Sequence, residues 1–129
     1  MCLVQTTVLM VGAGDKSRVI EELPIRLVLL DTGEAAIRFL KQEKIDTIIS
    51  KWNLVDIPEG KLLENVIDAI PSMPTIALIE SGNYAQEIKA AQLGITAIIS
   101  EDIEDNYFHQ VVVQLLGIKE MASIRAFDN

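Results

Sequence analysis

The chain has 129 residues, half of them hydrophobic, with 19 acids against 11 Lys and Arg, a net charge of −8, one Cys and one His. That length suits one domain burying about two thirds of its unfolded surface, while apolar runs well short of the ~20 residues that span a bilayer, and the lack of a basic-flanked apolar leader, predict a cytoplasmic protein away from membranes. The acidity argues against nucleic acid, whose phosphates need clustered cations, and a lone Cys2 with a lone His109 excludes an internal disulfide and a zinc or haem ligand set.

The first apolar run, Val8–Val11, ends in VGAGDKS, Val11 to Ser17. Two glycines two apart after a strand open dinucleotide-binding folds, and Asp31 stands near the ~20-residue distance at which such folds place a ribose-binding acid. One reading is therefore a small nucleotide-binding α/β protein using Gly12, Gly14 and Asp31. Against it, the third glycine is replaced by Ser17, and Asp15 puts a negative charge where phosphates would sit.

Further runs at Leu27–Leu30, Thr47–Ser50, Thr75–Ile79 and Ala97–Ser100 are rich in Ile and Val and do not alternate with polar residues. Continuous runs of this kind suit strands covered on both faces, hence a parallel sheet. Helical patterns fall between them, near 15–22, 32–42, 59–70, 84–93 and 104–116. Asp31 with Glu34 and Asn83 with Gln86 have capping-box spacing, which makes Asp31 and Asn83 the expected caps. The third helix carries Leu62, Leu63, Val66, Ile67 and Ile70 on one face and stops before Pro71. The last puts Phe108, Val111, Val112 and Leu115 on its sheet-facing stripe, His109 just off it and Val113 on the far side, where exposure is expected. Five alternations predict a doubly wound (βα)5 domain over 6–118, with 119–129 a tail or helical extension.

In such a sheet a site lies at the carboxyl ends of the strands, around Gly12–Asp15, Asp31, Lys51–Asn53, Ile79–Gly82 and Glu101–Asp102. There SKWNLVDIPEG, Ser50 to Gly60, resembles the loop after strand three of a CheY-like response-regulator receiver domain, and PTIALIE and AAQLGITAIIS resemble that family's strand four and its helix-four to strand-five run. The resemblance covers about Thr6 to Gly117 and implies a three-layer α/β/α fold with strand order 2-1-3-4-5. It also implies an acid pair holding Mg²⁺ after strand one, a phosphoacceptor aspartate after strand three, a hydroxyl after strand four, a lysine after strand five and a switch aromatic on strand five. Those positions fall here on Gly12 and Ala13, Lys51, Ile79, Glu101 and Ile98.

Phosphoryl transfer needs an oxygen nucleophile and a cation held by carboxylates, which this set lacks. The reading is thus a pseudo-receiver in two-component-type signalling, not an enzyme and without a cofactor. It would act through another signalling protein or a second copy at the helix 4–strand 5–helix 5 face, with Tyr84, Tyr107 and Val113 as contacts. The exchanged charges predict a Lys51–Glu101 ion pair across the pocket, with Asp15 the alternative acid. Asp15 or Asp56 would be the carboxylate of a displaced phosphorylation site, Ser50 a hydroxyl facing the packed side, and Trp52 and Asn53 framework or partner contacts.

Overall fold

The computed structural model describes residues 6–117. Five parallel strands, β1 (Thr6–Val11), β2 (Ile25–Leu30), β3 (Thr47–Lys51), β4 (Thr75–Ile79) and β5 (Ala97–Ser100), form one sheet in the order β2-β1-β3-β4-β5. The three inner strands are almost wholly buried while β2 and β5, at the edges, are only partly covered, which is why the unbroken apolar runs are strongest in the middle of the sheet.

Helices α1 (Ser17–Ile20), α2 (Gly33–Gln42), α3 (Lys61–Ala69), α4 (Tyr84–Leu93) and α5 (Asp105–Leu116) cover both faces. On one face Ala36, Leu62, Leu63, Val66 and Ala90 from α2, α3 and α4 pack on Leu9, Val11, Ile48 and Ala77. On the other, Ile20, Phe108 and Val112 from α1 and α5 pack on Val8, Met10, Ile49, Ile76 and Leu78. The fully buried Leu and Ile side chains each contribute roughly 1.5–3 kcal/mol.

Three boundaries differ from expectation. The first helix is a 3₁₀ turn, Gly14–Lys16, followed by the short α1, which ends at Ile20; Pro24 disfavours helical backbone at Leu23, and the chain turns back into β2 early. The cap of α2 is Thr32, whose side chain accepts from the Ala35 amide at 3.1 Å, rather than Asp31. Glu34 instead pairs with Arg38 one turn on. The third helix starts at Lys61 because Glu59 and Gly60 hold left-handed φ of 58° and 72°. Asn83 does cap α4, accepting from the Gln86 amide. Ile70 is exposed, and Cys2 and the 119–129 segment lie outside the described residues. Among the described residues no helix is long and apolar enough to cross a membrane.

Candidate functional site

The carboxyl ends of the strands gather the loops that sequence reasoning singled out, and the floor between β1 and β3 is filled. Gly12 takes φ 72°, and a Cβ there would lie 2.6 Å from Leu54 Cδ2 and 3.8 and 3.9 Å from Lys51 Cβ and Cδ. Leu54 is buried in the α2–α4 core. An apolar side chain and the stem of a half-buried lysine thus occupy the ground beside Gly12. Ala13 is fully buried against Ile20 and Phe108, and Ile79 is buried as well.

The expected Lys51–Glu101 ion pair does not form. Among the described residues the ion pairs are Arg26–Glu43, Arg38–Glu34 and Lys61–Glu64, so Lys51 has neither Glu101 nor Asp15 as a partner within 4 Å. The Glu101 amide donates to the Ile79 carbonyl at 2.8 Å, fixing the backbone after β5 beside β4. Ile98 is half-buried at the edge of the sheet.

The β3–α3 loop is tied down from three sides. The Asp56 carboxylate accepts from the amides of Gly33 and Glu34 at 2.8 and 2.9 Å, satisfying two first-turn donors of α2. Asn53 accepts from the Glu59 amide at 2.7 Å and donates to Glu80 at 2.9 Å, while Gln86 accepts from the Glu80 amide at 2.9 Å. Trp52, only 3% exposed, sits under the loop with its ring against Gly60. Trp52 is therefore framework, and Asn53 is an exposed bridge between loops. Ser50 is fully buried, its hydroxyl on the Lys51 carbonyl, which keeps it out of reach of a phosphodonor.

The Gly33 and Glu34 amides hold the exposed Asp56 carboxyl below its ordinary value, and hydrogen bonds from Gln86 and Asn53 do the same for Glu80. A carboxylate lowered on folding stabilises the fold above its unfolded pKa, and that contribution is lost as pH falls through the folded value. The loop is therefore expected to loosen only below the ordinary carboxylate range. In an acid titration followed by amide shifts, Gly33 and Glu34 should move together with an Asp56 midpoint below 3.8, and Asp56→Ala should remove that transition. A midpoint at or above the ordinary value contradicts the clamp.

Tyr84 and Tyr107 are 75% and 58% exposed, whereas Val113 is half-buried rather than exposed. Sequence reasoning missed Ile88, 58% exposed one turn beyond Tyr84 on α4; its i, i+4 spacing from Tyr84 was the signal. His109 is half-buried in a groove of about 420 Å³ between α1 and α5, with Arg18, Val19, Glu22, Asp105 and Asn106. Asp31 is exposed, and the short α1 gives the Gly12–Gly14 loop no long helix to lead into. The Mg²⁺ that the fold implies finds no fit at Gly12 and Ala13, which offer no side-chain oxygen. Among the described residues no three His, Cys, Asp or Glu side chains are placed to hold a metal ion.

Strand order, helix placement and a site at the β-strand carboxyl ends define a CheY-like receiver-domain fold. The signal receiver domain of an HD domain-containing protein from Pseudomonas fluorescens Pf-5 superposes with a TM-score of 0.80 at 20% identity, over 92% of this chain and 99% of that one. A CheY-like response regulator receiver domain protein from Methanospirillum hungatei JF-1 gives 0.79 at 14% identity, over 92% and 99%. The chemotaxis response regulator CheY4 of Vibrio cholerae gives 0.76 at 13% identity, over 87% and 99%. In sequence the chain is similar to the transcriptional regulatory protein GlrR of Escherichia coli K12, 23% identical over 86 residues, which are 67% of this chain and 19% of that protein. The chain therefore matches about a fifth of the length of that curated relative. No family model matches it.

Proposed function

We propose that this chain is a pseudo-receiver: a signalling module that keeps the receiver fold, is not phosphorylated at the usual position, and acts by binding a protein partner. The observation that carries the reading is the pair Lys51 and Leu54. An ammonium stands where the resemblance implies the phosphoacceptor, and the ground where carboxylates would hold a cation is filled by Leu54 against Gly12. A lysine ammonium is neither an oxygen nucleophile nor a metal ligand, and Gly12 and Ala13 supply no charge to offset that of a moving phosphoryl group. The signalling role follows the names of its relatives, a transcriptional regulatory protein and several receiver domains.

For the binding surface, Tyr84 and Ile88 on α4 and Tyr107 on α5 support the α4–β5–α5 face, since large apolar side chains left in water are the material of interfaces. The test is incubation with Mg²⁺ and acetyl phosphate, followed by intact-mass measurement. Unchanged mass is expected. A stoichiometric gain of one phosphoryl group overturns the reading, and peptide mapping would then show whether Asp15 or Asp56 carries it.

A further inference from the structure

The buried cation at this end of the sheet is Lys16 rather than Lys51. It is 9% exposed, at the end of the 3₁₀ turn after β1, and its Nζ lies 5.9 Å from the centre of the Phe108 ring. Phe108 is itself 1% exposed, in the first turns of α5 directly after the β5–α5 loop. With its stem buried, an ammonium held over an aromatic face is attracted by the ring quadrupole.

The loop on the other side of that contact is closed by its own hydrogen bonds. The Ser100 hydroxyl bonds the Asp102 carboxylate, the Asp102 amide approaches the Ser100 hydroxyl at 3.4 Å, and the Ile103 amide donates to the Ser100 carbonyl at 3.1 Å. The hydroxyls of Ser100 and Ser81 and, less strongly, the charge of Lys16 all hold the Asp102 carboxyl below its usual value. Lys16 thus sits over the aromatic of the helix that follows the loop, and its charge adds the smallest of the contributions that favour the Asp102 carboxylate.

We infer that Lys16, through its charge over Phe108, ties the loop after β1 to the β5–α5 junction and holds that junction in one arrangement without any bound ligand. The inference deepens the pseudo-receiver reading: a module with no phosphoryl group to gather its loops supplies the gathering charge from its own chain. It needs no partner identity, and a protein that proved phosphorylatable would still have the tether, so each claim can fail alone.

The test is amide hydrogen exchange on the full chain, comparing wild type with Lys16→Met, which keeps an apolar stem, and Lys16→Arg, which keeps the charge. Lys16→Met is expected to speed exchange at Glu101–Ile103 and at Phe108 by about three- to tenfold, the size of one partly shielded cation–π contact, with Lys16→Arg within about twofold of wild type. No change in Lys16→Met, or equal loosening in Lys16→Met and Lys16→Arg, overturns the inference, because then packing rather than charge holds the junction. Asp102→Asn provides a second readout should Lys16→Met fold poorly. It should loosen the same amides, and the double variant with Lys16→Met should loosen them by less than the sum of the singles; strict additivity contradicts the tether.

Discussion

Gly60→Ala should destabilise the protein by about 2–5 kcal/mol. Gly60 holds φ 72°, where an L side chain is strained by about 1–2 kcal/mol. A Cβ there would also meet the face of the Trp52 ring, with Cζ2 and Cζ3 both 2.6 Å away. Overpacking of this kind adds about 1–3 kcal/mol. The ring has nowhere to retreat, since Trp52 is buried with Leu54, Leu62 and Leu63. The Gly60 amide also donates to the Trp52 carbonyl at 2.8 Å, so moving Gly60 breaks the closure of the loop. Urea unfolding read by the single tryptophan measures the loss. Gly14→Ala is the control, because nothing lies within 4 Å of where its Cβ would stand and its φ is not positive. A loss below about 0.5 kcal/mol for Gly60→Ala, the ordinary scatter of surface changes, would contradict the seating of Trp52 under this loop.

The double variant Gly12→Asp with Ala13→Asp, which writes the implied acid pair back into the chain, should lose stability rather than gain Mg²⁺ binding. At position 12 the added side chain meets Leu54 and a left-handed backbone. At position 13 a carboxylate replaces a fully buried methyl among Ile20, Phe108 and Val112. Burying such a group without a partner costs several kcal/mol or forces it to take up a proton. Thermal unfolding should show the double variant well below wild type, with no recovery on adding millimolar Mg²⁺. A cation-dependent rise in its melting temperature would mean that the acid pair can still assemble a site and that Leu54 yields.

Much of this architecture was legible in the residues. The unbroken Ile- and Val-rich runs identify strands buried on both faces, and the loop from Ser50 to Gly60 carries the likeness that orders them. What was not legible is which polar group reaches which. Asp31 and Thr32 are both competent caps, and the choice between them depends on backbone angles at α2 that no spacing encodes. The acid at 31 was not needed there because Asp56, on another loop, supplies a carboxylate to the same helix start.

The Lys51–Glu101 pair failed for a related reason. Complementary charges at two strand ends suggest a bridge, but the stem of Lys51 lies beside Gly12 while the buried lysine comes from the turn after β1. Lys16 lies inside VGAGDKS, but nothing in that motif marks the lysine; it stands in the turn just before α1, which packs beside α5. Val113 was misjudged because helical periodicity tells which side of α5 faces the sheet, not what flanks the opposite side.

The most direct test of the central claim, a receiver pocket closed to phosphoryl chemistry, is the amide spectrum of the labelled protein with Mg²⁺ and beryllofluoride, a stable mimic of a phosphoryl group. The signals of Gly12, Lys51, Leu54 and Glu101 should stay in place at every concentration. Saturable shifts at those amides would contradict the account.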